Sequence, residues 1–156
     1  MDLTQLKQAL ADLLQGAPGL GEAEVLPAFP AGKHLPLTGP AIILGVDGME
    51  LSPAGLGGFS PKEAGSLAAI TVRFDLFSPG KDGPNLHLLH EALCRSLMEK
   101  GESFGLAKIW CDPLAWDDSA GSYRLSARAL LRGRARSGSV REAQGGIFDF
   151  RLSWGG

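Results

Sequence analysis

Cysteine is scarce in this chain, with two residues in 156, Cys94 and Cys111, and this argues against a small secreted scaffold stapled by disulfides. Cys94 falls in a helical pattern and Cys111 in a strand pattern, so both read as small buried hydrophobes rather than as a bridge. No apolar run approaches the length of a membrane span. The opening MDLTQLKQAL is amphipathic and lacks the basic start and apolar core of a secretory leader. These absences predict a protein made and kept in a reducing cytoplasm. Phosphate-binding signatures are missing too. Neither Gly57-Gly58 nor Gly80–Gly83 belongs to a G-K-[ST] loop or to a strand-to-helix G-x-G-x-x-G turn.

What is present is an ordinary globular composition, 44% hydrophobic and 21% charged, in a length that fits one domain. A domain of this size buries roughly 70% of its unfolded surface, enough for a core without disulfides or metal. The 22 glycines and 10 prolines gather between the periodic segments, which predicts long loops. The net charge of −2 conceals a polarity. Residues 1–119 hold 8 Lys/Arg and 15 Asp/Glu, a balance of −7, whereas residues 120–156 hold 7 Arg and 2 acids, a balance of +5. Such asymmetry suits nucleic acid, or a chain whose ends meet oppositely charged neighbours.

The chain is organised around residues 66–100. Ser66 to Ser78 alternates, with Ala68, Ile70, Val72, Phe74 and Leu76 on one side, so it reads as a strand with one buried face. After the turn from Pro79 to Pro84 the period changes, and Leu86, Leu89, Leu93 and Leu97 form one helical stripe. Lys100 suits the helix C-terminus, and Gly101 the left-handed residue beyond it. Upstream, Asp2 and Gln5 form a capping-box pattern for a helix from Leu3 to Gln15, with Gly16 as its stop. Glu24 to Phe29 reads as a short edge strand because Pro27 excludes a central one. Ala41 to Leu51 is a second strand whose start is apolar enough for burial on both faces. The Gly/Pro-rich loops Pro30–Pro40 and Leu51–Gly65 exceed ordinary connections and are expected to reach outward. Downstream, Gly105 to Cys111 begins a strand with Trp110 as a large anchor. The turn Asp117–Gly121 makes a hairpin of Ile109–Trp116 and Tyr123–Leu131. A last alternating piece, Ile147 to Trp154, follows a Ser/Gly linker. The expected architecture is α+β, one mainly antiparallel sheet with two helices packed on one face. Residues 1–136 form the domain, and 137–156 form an extension with an extra strand.

Two constellations are candidates for chemistry. His87, His90, Glu91 and Cys94 share one side of a helix, which would allow a metal site or a Cys94–His90 nucleophile and base. However, HLLHE is not the H-E-x-x-H order of zinc peptidases. No second ligand group, oxyanion glycines or orienting Asn/Asp accompany it, so a polar helix face is the reading that follows. Asp117 and Asp118 read first as turn residues. The least ordinary feature is a row of arginines. Arg124, Arg128, Arg132, Arg134 and Arg136 share one parity, with no acid from Ser122 to Arg136. Nucleic-acid binding would want aromatics interleaved, and Tyr123, the nearest, has the opposite parity. An acidic partner surface that completes the row is therefore expected, with Leu56 and Phe59 of the long loop as further contact residues.

The segments DLTQLKQALADLL, PAIILGVDGMEL, AITVRFDLFSP running into NLHLLHEALCRSLMEKG, and IWCDPLAWDDSAGSYRLSARALLRG resemble, in pattern and order, the tail terminator (tail completion) proteins of long-tailed bacteriophages and prophages. The resemblance covers Asp2 to Gly133. It implies a non-enzymatic structural protein with no cofactor, metal or catalytic residue. It further implies a homo-oligomeric ring, typically a hexamer, on the last ring of the tail tube. There the ring meets the major tail tube protein on one side and a head completion or connector protein on the other. The implied location is the host bacterial cytoplasm during assembly and then the tail–neck junction of the virion, with no membrane and no specific nucleic acid. The alternatives are a small cytoplasmic enzyme using the His90/Cys94 region, or another phage neck or head-completion protein.

Overall fold

A computed structural model describes residues 1–28, 38–52, 66–79, 83–137 and 150–153. Helix α1 spans Leu3–Leu14 and begins with a reciprocal capping box. The Gln5 amide donates to Asp2 Oδ1 at 2.7 Å, and the Asp2 amide donates to Gln5 Oε1 at 2.9 Å, so two otherwise orphaned N–H groups are satisfied. Its buried face is Leu6, Leu10, Ala11 and Leu14, at the spacing of one helical stripe. The helix gives way at Gln15 and Gly16, the latter with φ 73°. The side-chain carbonyl of Gln15 then accepts the Val25 amide at 3.2 Å, which ties the end of the helix to the first strand.

That strand, β1 (Glu24–Leu26), lies parallel to β2 (Ala41–Ser52) at the sheet edge. Next come β3 (Ser66–Ser78), helix α2 (Gly83–Lys100), β4 (Leu106–Cys111), β5 (Ala115–Asp117), β6 (Ser122–Ser137) and β7 (Phe150–Ser153). All pairings other than β1 with β2 are antiparallel, in the order β1-β2-β3-β6-β4. β6 pairs with β3 along thirteen positions, from Ser66↔Ala135 to Ser78↔Tyr123. Its opposite edge receives β5, β4 and β7 in turn.

The core joins both helices to one face of the sheet. Ile42 and Leu44 of β2, Ala68 to Leu76 of β3 at alternate positions, and Leu125, Ala127, Ala129, Leu131 and Ala135 of β6 belong to one buried cluster with Leu86, Leu93 and Leu97 of α2. Phe74 lies across from Ala127 and Val72 across from Ala129. Large residues on β3 thus alternate with alanines on β6, which lets α2 settle closely over the two strands. At the start of β2 four consecutive residues, Ala41, Ile42, Ile43 and Leu44, are buried, so both faces are covered there.

Four local expectations are corrected. α2 is not followed by a left-handed Gly101. The chain first makes a 3₁₀ turn, Gly101–Phe104, and Gly105 takes the left-handed conformation at φ 65°. Gly101 is instead buried against Leu106. The first hairpin arm is two strands, because Pro113 has no N–H for the ladder and divides β4 from β5. Trp110 anchors nothing beneath the helices; it lies on the other face of the sheet, across from Arg128. Cys111 is exposed rather than buried.

Between α1 and β1, Gly19 has φ 80°, and a Cβ there would lie 2.8 Å from the Cβ of Ala92 on α2. Gly19→Ala therefore combines a left-handed penalty with a clash against a packed helix. It should cost about 2 kcal/mol and lower Tm by roughly 4–8 °C. Gly21→Ala, which meets nothing within 4 Å, should move Tm little. Equal shifts in thermal melts of the two variants would contradict this packing.

Candidate interaction face of the sheet

Because side chains alternate along a strand, burying one parity of β3 and β6 under the helices sends the other parity to the second face. On β6 these residues are Arg124, Ser126, Arg128, Leu130, Arg132 and Arg134, and on β3 they include Arg73 and Asp75. Register sets Arg73 directly across from Arg128. Two like charges at such a position repel.

The repulsion is relieved by an irregularity in β2. Val46 pairs with Val72 and Gly48 with Thr71, so Asp47 is the extra residue of a β-bulge. The bulge brings its carboxylate over both guanidiniums, with Asp47 Oδ1 2.9 Å from Arg73 Nη1 and Asp47 Oδ2 2.7 Å from Arg128 Nε. Asp75, only 2% exposed, accepts from Arg73 Nε at 2.9 Å and from the Ser126 hydroxyl at 2.6 Å. Asp112 takes the remaining side of Arg128. Gly45 lies beneath this group, where a Cβ would come within 3.4 Å of the Arg73 guanidinium. The hydrogen bonds from Arg128, to Asp112 first and then to Asp47, hold its guanidinium still further above its ordinary range. The network is an interlocked set of charge-assisted hydrogen bonds across three strands, β2, β3 and β6, and the Asp112 corner.

The arginine row therefore divides. Arg128 has two acidic partners in its own chain, and Arg124 pairs with Asp117 at 3.2 Å. For these two the acids lie within the chain, coming from β2, from β5 and from the corner after β4 rather than from β6 itself. Arg132 and Arg134 differ: both are exposed, and neither has an ion-pair partner among the described residues. Leu67 of β3, 48% exposed, lies directly across from Arg134. Near the β4 edge, Lys108 stacks over the Trp110 ring at 5.0 Å. Arg136, as a side chain, and Leu56 and Phe59 altogether lie outside the described residues.

Asp47, Arg73, Asp75 and Asp112 do not stand out in the sequence as site residues. A signal for the bulge exists, since the apolar residues of β2 run Ile42, Leu44, Val46 and then Met49, Leu51. The change of parity marks the inserted residue.

The helical constellation behaves otherwise. Cys94 Sγ lies 3.4 Å from His90 Nε2 in a shallow depression that also involves Glu91, Arg95, Met98 and Glu99. Burial pushes the Cys94 thiol up, with Cys111 and Glu91 adding to it, whereas burial and then His87 push His90 down. Both shifts favour neutral partners, the reverse of what a thiolate–imidazolium pair requires. Among the described residues no group of three His, Cys, Asp or Glu side chains could hold a metal ion, and no helix is long and apolar enough to cross a membrane.

No family model and no curated protein matches the chain. Among solved structures it is similar to a chain in the virion of a native gene transfer agent particle. The two share 17% identity at a TM-score of 0.39, over 83% of this chain and 92% of that one. At that score the likeness assigns no family and no role.

The divided row separates two substitutions. Arg128→Glu removes two ion pairs and sets a new carboxylate beside Asp47 and Asp112, so it should destabilise the fold by about 2 kcal/mol in urea unfolding. Arg132→Glu should stay within about 0.5 kcal/mol of the parent. Matching losses would mean that the network has no special weight.

Asp117 offers a second measurement. Its carboxyl is held below its ordinary value of 3.8, first by the Ser119 hydroxyl and also by the Ala120 and Ser119 amides and Arg124. A lowered folded value means that the turn is fully stabilised above the ordinary carboxylate range and loses that support as pH falls below it. The Ser119 and Ala120 amide resonances should therefore titrate with a midpoint below 3.8. A midpoint at or above that value would remove the claim.

Proposed function

We propose that this chain is a structural subunit that closes a phage-type tail tube as an oligomeric ring and offers the surface to which the filled head is joined. The observation that carries this reading is the second face of the sheet. One face is consumed by both helices, while the other runs out to exposed Arg132 and Arg134 that nothing in the described chain neutralises. A row of like charge on a flat sheet gains nothing from solvent, but it sets approach and register when an acidic surface meets it. The order of elements, helix, long-looped strands, helix and closing hairpin, follows the order in which the sequence resembles tail terminators. Ring contacts of this kind are heterologous, with two different patches of one chain meeting, and the acidic body and arginine-rich C-terminal part supply such patches.

Within this reading Arg132 and Arg134 touch the neighbouring subunit or the tube end. Arg124 and Arg128 are committed largely to acids of their own chain. Leu56 and Phe59 of the long loop are proposed as further contacts. The chain acts without catalysis, cofactor or metal. An enzymatic use of His90 and Cys94 is disfavoured by the shifts that keep both groups neutral.

The test is light scattering of the purified protein, followed by electron microscopy. Wild type should give a multimeric mass and ring images, hexameric by the resemblance. The Arg132→Glu/Arg134→Glu variant should remain folded but assemble about tenfold more weakly, with the wild-type contacts weakening as salt is raised. A wild type that stays monomeric throughout and ignores tube ends would dispose of the reading.

A further inference from the structure

β2 and β4 lie on opposite sides of the β3–β6 pair. β1 covers β2 only at Ala41, Ile42 and Ile43, and among the described residues no strand pairs with the outer edge of β2 beyond them. The outer edge of β4 is likewise unpaired among the described residues. Such edges present rows of N–H and C=O groups ready to pair with another chain. Both carry a bulge, at Asp47 and at Ala107, but regular register resumes over Gly48–Ser52 and over Lys108–Cys111.

The two edges are complementary on both faces. On the second face β2 carries acids, Asp47 and exposed Glu50, whereas β4 carries exposed Lys108 with Arg132 on the strand behind it. Glu50, Ala69 and Arg132 stand in one cross-strand row, so that row runs from acid at one edge toward base at the other. On the helix-side face β2 exposes Met49 at 38% and Leu51 at 39%. There β4 offers half-buried Leu106 and Ile109. Like edges are poor partners, because β2 against β2 brings Glu50 near Glu50 and β4 against β4 brings Lys108 near Lys108. Strand direction agrees as well. β2, β3, β6 and β4 alternate, so β4 runs opposite to β2. Copies related by rotation about an axis along the strands would therefore meet with these edges antiparallel.

We infer that the Gly48–Ser52 edge of β2 pairs antiparallel with β4 of a second copy, with Glu50 near Lys108 and with Met49 and Leu51 against Leu106 and Ile109. The subunit sheets then join into one continuous sheet. The contact is heterologous and leaves a fresh edge of each kind exposed, so it propagates until a ring closes. This inference rests on the ring reading proposed above and specifies its seam.

Glu50 and Lys108 are both exposed, so reversing either should leave the monomer folded, as circular dichroism would report. Glu50→Lys alone and Lys108→Glu alone should each raise the concentration for half assembly about tenfold in analytical ultracentrifugation at low salt. The Glu50→Lys/Lys108→Glu double reversal should recover most of that loss. A wild type without any multimer overturns the ring reading and the seam together. A multimer that neither single change weakens, or a double reversal no better than the singles, overturns the seam and leaves the ring standing.

Discussion

Arg73 and Arg128 stand side by side on neighbouring strands, and the second face of the sheet is arranged to make that tolerable. Their position follows from burial on the opposite side. Once Val72, Phe74, Ala127 and Ala129 face the helices, alternation leaves residues 73 and 128 nowhere else to go. Neutralisation then has to come from other strands. Asp47 is delivered by a bulge, Asp75 shares the strand of Arg73, and Asp112 sits at the corner where β4 ends before Pro113. A single carboxylate shared by two guanidiniums makes β2, β3 and β6 one electrostatic unit. Exposed ion pairs add little singly, whereas a partly buried set with defined geometry adds specificity to the register as well.

Much of this fold was legible in the chain because its long elements obey one period each. Ser66–Ser78 and the Leu86–Leu97 stripe were readable from spacing, and the Asp2–Gln5 box marked the first helix at the correct residue. Turn chemistry was read less well. Gly101 and Gly105 both suit a left-handed stop, and only the packing of Gly101 beneath Leu106 decides between them. Pro113 was a visible strand breaker, yet the apolar residues on either side of it read as one arm.

The candidate face was half legible. Parity placed the arginines together, which depends only on one strand being continuous. Their partners were not legible as such, because Asp47, Asp117 and Asp112 reach them from β2, from β5 and from the corner after β4, and the parity change that marks the bulge does not say what its carboxylate meets. A face that looked wholly unsatisfied is in fact graded: neutralised at its middle, and open toward Arg132 and Arg134. In the function proposed above, the satisfied part holds the monomer together and the open part meets a partner.

The bulge at Asp47 also divides β2 into two reading frames. Before it, Ile42, Leu44 and Val46 face the helices; after it, Met49 and Leu51 do, and Glu50 looks the other way. Deleting one residue here would not merely remove a carboxylate. It would also close the bulge, and because Asp47 is the extra residue, Val46, Met49 and Leu51 would stay on the helix side in one unbroken alternation and Glu50 on the charged face. The distal half of β2 is exposed, and the faces of its residues are set by their pairing with β3 rather than by their count from the start of the strand.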